Sequence, residues 1–286
     1  MNNLKKRKII DRFFHGLVFC TTSFALIVLF ILLFDIFKDG TKWLSLDFFT
    51  NFTSRFIEKA GIKAAITGSI WVIFVTIIFS FPIGVGTALY LEEYSDDKSL
   101  LTRIIKLNIS NLAGVPSIVF GILGLGIFVN TLGFGRSILS GGLTLTLLIL
   151  PIIIVSAQEA IKSVPKELRY GAYALGITKW QVIKGVVLPY SLPGILTGSI
   201  LAIARALGET APLIMIGAVT FIAFTPESIF DKFTTLPMQI YNWSTMPQAE
   251  FHDLAAGGII VLLILLLGAN AISIILRNKY QSRIKG

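Results

Sequence analysis

An arginine and a glutamate lie four residues apart in the apolar run Ala-Arg-Ala-Leu-Gly-Glu-Thr-Ala-Pro, where they are Arg205 and Glu209. A charged side chain at the centre of a membrane-spanning helix costs about 2.5–3.5 kcal/mol on insertion scales, so such residues mark an ion pathway or a tight pair. The Arg205 guanidinium presents a rigid fork of donors that fits the oxygens of an oxyanion, and Thr210 can add a hydroxyl donor. Glu209 can neutralise Arg205 when no anion is present, which keeps binding weak enough for passage. We expect these three residues to line a path for an anion.

The alternative hypothesis is a structural pair. Residues four apart share one face of a helix, so Arg205 and Glu209 can pair with each other. Such a pair neutralises itself and holds its helix against the neighbouring helices, because intramembrane charges do pair with one another. Both hypotheses remain open at the level of the sequence.

The composition places these residues in a polytopic membrane protein. Apolar residues make up 54% of the 286 residues and charged residues only 14%, with a mean hydropathy of +0.80, which excludes a soluble globular domain. The net charge of +9 comes from Lys and Arg residues at the ends of apolar segments, where they act as topology signals rather than as a nucleic-acid site. Cys20 is the only cysteine, so an internal disulfide and a cysteine metal site are excluded.

No motif for catalysis or for a cofactor is visible. The sequence lacks the Gly-x-x-x-x-Gly-Lys-Ser/Thr loop of nucleotide-binding proteins, the His-Glu-x-x-His helix of zinc proteases and the Gly-x-Ser-x-Gly turn of hydrolases. His15 and His252 lie near predicted membrane edges without companion ligands. We expect a protein that is not an enzyme and that carries neither a cofactor nor a metal.

Six apolar segments are long enough to cross a bilayer, since each helix needs about 20 residues. The predicted segments are Gly16–Phe37, Ala64–Leu91, Ile105–Leu132, Ile138–Ala160, Pro193–Ala218 and Leu254–Leu276. The third is interrupted by Gly114-Val115-Pro116. The first follows basic residues, as an export signal does, but it is too long and has no cleavage site, so we expect an uncleaved helix.

The basic residues predict the orientation of these segments. The stretches on one side of the predicted spans carry 17 Lys and Arg residues, against seven on the other side. Because cytoplasmic loops are enriched in Lys and Arg, both termini are expected in the cytoplasm. The long outer stretches 38–63 and 220–253 contain Trp43 and Trp243, which are expected to lie at the level of the lipid headgroups.

A stretch of about thirty residues, Lys162 to Leu192, separates the fourth and fifth predicted spans and is called the insert below. Apolar residues recur at helical spacing in Leu168–Leu175 and in Lys179–Val187, with Gly176 between them. The pattern predicts two short amphipathic helices, hinged at Gly176, that lie across the cytoplasmic mouth and dock a partner. A plain solvated loop is the alternative.

The insert resembles the loop through which type I permease subunits of ATP-driven importers contact their ATPases. The matching pattern is Tyr-Gly-Ala-x-x-x-Gly, followed after nine residues by Val-x-Leu-Pro. The resemblance assigns the ATPase contact to Tyr170, Gly171, Ala172, Gly176, Leu188 and Pro189. Tyr170 departs from the family, which often has Glu at this position, so no charged contact is expected there.

Two further motifs are similar to those of the PstA-type permeases of phosphate importers. They are Gly-Val-Pro-Ser-Ile-Val-Phe-Gly from Gly114 and Ala-Leu-Gly-Glu-Thr-Ala-Pro-Leu from Ala206, within a similarity that runs from Gly61 to Leu276. The Thr-Ala-Pro ending favours PstA over its partner PstC. The resemblance implies an all-α fold with six transmembrane helices of the type I importer permease class and both termini cytoplasmic. Residues 64–276 are then the permease domain, between an N-terminal segment (1–63) and a basic tail (277–286).

The same resemblance implies partners and a function. It implies a heterodimer with a PstC-like permease in the cell membrane, a pair of PstB-like ATPases that hydrolyse ATP, and an extracytoplasmic phosphate-binding protein that delivers inorganic phosphate. A permease for molybdate, sulfate or phosphonate is an alternative, because an arginine alone does not separate these anions. An ion-coupled secondary transporter should show an internal repeat, which the sequence lacks. A purely structural membrane protein leaves Arg205, Glu209 and the insert unexplained.

Overall fold

The computed structural model describes residues 2–96, 98–218 and 221–285, and in these residues the chain is all-α, as predicted. The helices are α1 (Asn2–Gly40), α2 (Leu46–Thr50), α3 (Lys63–Leu89), α4 (Leu100–Leu112), α5 (Ser117–Gly124), α6 (Ile138–Lys162), α7 (Lys166–Ala174), α8 (Lys179–Val182), α9 (Leu188–Gly208), α10 (Ala211–Ile216), α11 (Leu236–Ser244) and α12 (Ala249–Lys285). Three π-helical turns, in which each turn holds about one extra residue, extend α3, α5 and α8. They are Tyr90–Tyr94, Leu125–Thr131 and Ile183–Val187.

Five helical stretches of the described chain are long and apolar enough to cross a membrane. They are Lys6–Trp43, Lys63–Tyr94, Ile138–Lys162, Lys179–Gly208 and Ala249–Ala271. A sixth crossing results if α4 and the helical stretch Ser117–Thr131 count as one bent span. The predicted polytopic, all-α class is therefore confirmed, and the five straight stretches overlap five of the six predicted segments.

The third predicted span, Ile105 to Leu132, is a bent pair rather than one helix. The axes of α4 and of Ser117–Thr131 meet at 105°, and the break lies at the predicted interruption. Pro116 has no N–H for a helical hydrogen bond, and its backbone is extended, with φ −56° and ψ 136°. The helical axis therefore changes direction at Pro116, between α4 and Ser117–Thr131.

The central helix of the bundle is α6, which packs against α3 along most of its length. Gly142 lies against Val75, and Gly84 lies against Ile153, so the two helices run in the same direction. Facing side chains of the two helices, among them Val75 of α3 and Leu145 of α6, form one buried apolar cluster. The contacts make α3 and α6 a rigid pair at the core of the protein.

A second close packing joins α6 to α9, which runs in the opposite direction. A Cβ atom at Gly194 would lie 2.8 Å from the Cβ of Ala160, and a Cβ atom at Gly198 would overlap Ser156. Helices approach this closely in a membrane only where small residues face each other. Each four-residue step along α9 is matched by a four-residue step back along α6, so these contacts set the register between the two helices.

The end of the bundle that carries the insert is called the insert end, and the other is called the opposite end. At the opposite end α2, α11 and the start of α12 pack together. Trp243 is fully buried there beside Phe48, with their ring centroids 6.0 Å apart. The Trp243 ring therefore packs in protein, in a cluster with Phe251 and Leu236, whereas its level relative to the lipid headgroups stays a prediction. Only the packing of distant segments hides this ring from lipid.

The first and last helices both extend toward the insert end. Gly40, at the end of α1, contacts Ala256 near the start of α12, and this contact lies at the opposite end of the bundle. Helix α1 therefore runs toward the opposite end, whereas α12 runs away from it. The two helices are consistent with the predicted shared side of the termini and the insert, and the cytoplasmic location of that side stays a prediction.

Alanine substitutions at two nearby glycines test the close packing of α5 on α6. A Cβ atom at Gly124 would overlap the Thr144 side chain, whereas a Cβ atom at Gly126 would meet no atom within 4 Å. We expect Gly124→Ala to destabilise the protein by about 1–3 kcal/mol, because overpacking forces the helices apart. Gly126→Ala is the matched control and should leave the melting temperature of the detergent-purified protein unchanged or slightly raised. Equal melting temperatures for both variants would contradict this packing.

Candidate functional site

Arg205 lies in the last turn of α9, and the helix ends three residues later at Gly208. Glu209 is extended, with φ −78° and ψ 126°, and α10 begins at Ala211. The break follows from Pro212, which has no N–H to donate to the carbonyl of Gly208 and whose ring would clash with that carbonyl in a continuous helix. The predicted fifth span from Pro193 to Ala218 is therefore corrected to a helix, a break and a short second helix.

Arg205 and Glu209 still contact each other across this break. The Nε of Arg205 donates a hydrogen bond to the Oε1 of Glu209 at 3.3 Å. No other described residue accepts a hydrogen bond from the guanidinium, so the two terminal nitrogens are available to another acceptor. The arrangement can hold an anion through the free fork while Glu209 keeps the Nε.

The level of Arg205 in the bundle follows from the packing of α9 on α6. The contacts of Gly194 with Ala160 and of Gly198 with Ser156 define the register. Continued along both helices, this register places Arg205 level with Ile149, about the midpoint of α6 (Ile138–Lys162). The charge is therefore close to the middle of the membrane-spanning layer.

The exposure of this pair shows which kind of surface it faces. The Arg205 side chain is 49% exposed in the single chain, and Glu209 is 17% exposed. A charge at mid-membrane level is too costly to face lipid, so it faces protein or a water-filled cavity. The surface of α9 that carries Arg205 is accordingly a surface for a partner subunit or a pathway.

Thr210 is the third predicted site residue, and it lies in the break between α9 and α10. Its carbonyl accepts the N–H groups of Leu213 and Ile214, whereas its hydroxyl makes no hydrogen bond with the described residues. Helix α10 itself is held by α5, where Gly121 lies against Pro212. The structure therefore brings Thr210 beside Glu209 but gives its hydroxyl no structural partner.

The first predicted helix of the insert is present as α7, whereas the second is not a separate short helix: α8 and its π-helical turn continue into α9 as one helix, Lys179–Gly208. Gly176 lies between α7 and α8 with φ +74°, a left-handed conformation that glycine adopts without a steric penalty. The Thr178 side chain and the Gln181 side chain cap the start of α8 reciprocally. The first helix and the turn at Gly176 are thus confirmed, the second predicted helix is corrected to the start of the fifth spanning helix, and the docking role of the insert stays a prediction.

The six insert residues assigned by resemblance fall into two groups. Tyr170, Gly171, Gly176 and Pro189 are exposed, whereas Ala172 is buried and Leu188 is half-buried. Ala172 and Leu188 belong to an apolar cluster that fixes the insert to α3 and α6. The exposed side carries large apolar residues with no cover in the single chain, namely Tyr170, Leu175 and Trp180.

A buried charge cluster at the insert end escaped the sequence analysis. Glu92 and Glu93 lie in the π-helical turn that extends α3, and their side chains are only 7% and 6% exposed. Glu93 lies 2.7 Å from the Nη1 of Arg169 on α7, and Glu92 lies 2.9 Å from the Nζ of Lys106 on α4. The sequence did contain a signal for this cluster: two adjacent glutamates at the end of an apolar segment, near many basic residues. Such glutamates are expected to pair with cations. The described residues contain no cluster of three metal-ligating acidic, histidine or cysteine side chains.

Comparison with known proteins gives the chain its relatives. Residues 80–286 match the family described as binding-protein-dependent transport system inner membrane component. The chain is 38% identical to the phosphate transport system permease protein PstA of Mycobacterium leprae, over 79% of this chain and 73% of that protein. It is 35% identical to PstA of Yersinia pestis, over 91% of this chain and 88% of that protein. It is 34% identical to the probable ABC transporter permease protein YqgI of Bacillus subtilis, over 92% and 94%.

Solved structures share the fold. A bacterial alginate ABC transporter matches with a TM-score of 0.66 at 17% identity, over 92% of this chain and 94% of that one. The MetNI methionine ABC transporter in an inward-facing conformation matches with a TM-score of 0.61 at 16% identity, over 77% and 94%. Permeases of ABC importers are multi-pass inner-membrane subunits that work with a separate ATPase and a substrate-binding protein. The chain belongs to the family of binding-protein-dependent transport system inner membrane components, as a permease of the PstA type.

Proposed function

We propose that this chain forms half of the membrane path for inorganic phosphate in an ATP-driven importer. One observation carries the proposal: Arg205 lies at mid-membrane level, half-exposed, with the terminal nitrogens of its guanidinium unpaired in the described chain. An arginine fork in this state fits two oxygens of a phosphate ion. The 31–38% identity to phosphate permeases supports phosphate as the anion.

The pair with Glu209 explains how phosphate leaves again. A lone Arg205 in a low-dielectric cavity would hold a phosphate anion strongly, because charges interact more strongly there than in water. Glu209 competes for the same guanidinium through its 3.3 Å contact with the Nε. Conduction needs sites that bind weakly enough to release their ion. Glu209 therefore lowers the affinity of Arg205 for phosphate and takes over the cation once phosphate has passed.

A second permease of the PstC type completes the path in this proposal. The face of α9 that carries Arg205 is uncovered in the single chain, and a charge at this level is not stable against lipid. A PstC-like partner across this face would enclose a cavity between the two subunits. The phosphate-binding protein would deliver its ion at the opposite end, and phosphate would leave at the insert end, on the cytoplasmic side.

The insert is the ATPase contact in this proposal. Tyr170, Leu175 and Trp180 are large apolar residues exposed on the insert, called the knob here, and such residues fit a groove in a soluble partner. A pair of PstB-like ATPases that close on ATP would push this knob. The bundle would then alternate between outward-open and inward-open states, while ATP chemistry stays on the ATPase subunits.

Arg205→Gln tests the phosphate contact. We expect phosphate uptake by the complete transporter in vesicles to fall by about tenfold or more, because a hydrogen bond to a charged group contributes about 1.5–3 kcal/mol. Arg205→Lys keeps the charge but loses the fork, so its uptake should be intermediate. Both variants should assemble with their partners, which co-purification checks. Normal uptake by Arg205→Gln would contradict the contact, and stronger competition by sulfate or molybdate than by unlabelled phosphate would assign the path to another oxyanion.

Glu209→Gln separates the two roles of the pair. If Glu209 releases phosphate, we expect a lower KM and a lower maximal uptake rate, because Arg205 then holds its ion more tightly. The amount of protein in the membrane should stay the same, as judged by immunoblotting. Glu58→Gln removes an exposed carboxylate at the opposite end and is the control. A loss of protein with unchanged kinetics in the remainder would assign the pair to packing.

Gly176→Pro tests the hinge in the insert. Proline holds φ near −65° and has no N–H, whereas Gly176 has φ +74° and donates its N–H to the Tyr173 carbonyl at 2.9 Å. We expect ATP hydrolysis by the assembled transporter to continue while phosphate uptake is lost. Gly185→Ala, in the same insert but outside the six assigned contact residues and with no atom within 4 Å of the added Cβ, should retain both activities. Full uptake by Gly176→Pro would overturn the hinge model.

A further inference from the structure

The insert is tied to the bundle by buried charges as well as by apolar packing. Arg169 on α7 lies 2.7 Å from Glu93, and its Nη2 donates to the carbonyl of Ile161 near the end of α6 at 2.7 Å. One side chain of the insert thus touches both central helices. The exposed fractions of the Arg169 and Glu93 side chains, 21% and 6%, show that the ion pair is largely shielded from water.

Glu92, the neighbour of Glu93, contacts side chains of α6 and α4. It accepts a hydrogen bond from Nε2 of Gln158 on α6 at 2.7 Å and lies 2.9 Å from the Nζ of Lys106 on α4. The Nζ of Lys162, the last residue of α6, lies 3.9 Å from the same carboxylate. The two adjacent carboxylates therefore connect α3, α4, α6 and α7 at one point.

We propose that Glu93 and Glu92 are positioning residues that pass the movement of the insert to the path, Glu93 through Arg169 and Glu92 through its contacts with α6 and α4. The proposal rests on the proposed ATPase-docking role of the insert. From this cluster, α6 continues as one helix to Ile149, which is level with Arg205, over about 20 Å. Coupling between distant sites needs such a chain of rigid elements and packed contacts.

The position of the cluster separates this role from that of the apolar contacts. Ala172, Val182 and Val187 of the insert are buried in a cluster with Ala157 and Ile161 of α6. These apolar contacts act in no fixed direction and hold the insert on the bundle. A shielded ion pair adds one defined geometry, and replacing one partner leaves the other charge buried without compensation. Loss of the ion pair should therefore change how the insert moves the bundle while the insert stays attached.

The test measures phosphate transported per ATP hydrolysed by the complete transporter in vesicles. We expect Glu93→Gln to lower this ratio about fivefold or more, which is within the range of allosteric coupling, with all subunits still co-purifying. Arg169→Gln should lower it to a similar extent. The double variant should be no worse than either single variant, because both remove the same interaction. Lys166→Gln removes an exposed cation of α7 that has no ion pair in the described chain, and it is the control.

The possible outcomes separate the positioning role of the carboxylates from a purely structural role. An unchanged ratio in Glu93→Gln would overturn the proposal, and so would additive losses in the double variant. Loss of co-purification in Glu93→Gln would also overturn it, because the ion pair would then only hold the complex together. Failure of the docking role itself has another signature: Gly176→Pro would couple normally. If Gly176→Pro uncouples while Glu93→Gln does not, only the positioning role of the carboxylates is rejected.

Discussion

A charge withdrawn from water must be paired with an opposite charge or bind a charged ligand. This constraint applies at two places in this protein. Arg205 lies at the midpoint of the spanning layer with one long contact to Glu209, while Glu92 and Glu93 lie almost fully shielded at the insert end. In each place the cost of desolvation excludes an unpaired charge facing lipid. The first pair leaves donors free for an anion, whereas the second cluster places each carboxylate next to a cation of another helix.

The helix α6 connects these two places. It is packed against α3 on one side and α9 on the other. Glycines of both α3 and α6 lie against branched side chains in the first contact, whereas glycines of α9 lie against Ala160 and Ser156 in the second. A helix held on both sides moves as a unit with its neighbours. Its end contacts the insert through the carbonyl of Ile161, which accepts a hydrogen bond from Arg169, and its middle lies level with Arg205. In the proposed function, the ATPase contact and the phosphate contact are therefore joined by this one helix.

Breaks in two of the helices set where the chain changes direction and where Glu209 lies. The proline at position 212 ends α9 and places Glu209 in an extended segment, and the proline at position 116 turns α4 through 105°. The sequence predicted the interruption of the third span at Gly114-Val115-Pro116, whereas it gave the fifth span only as one apolar segment that contains Pro212. Hydropathy integrates over about twenty residues, so it detects an apolar segment without detecting where its hydrogen-bonded ladder stops.

The sequence by itself determined the all-α membrane class, the apolar segments that contain the spans, the first helix of the insert with its glycine turn, and Arg205 and Glu209 as unusual charges. These properties depend on local composition, periodicity and proline or glycine chemistry. Only the tertiary structure decided that Trp243 is buried in protein, that Arg205 is level with Ile149, and that Glu93 meets Arg169. Contacts between residues far apart in the chain depend on helix register and crossing angle, which no local pattern encodes.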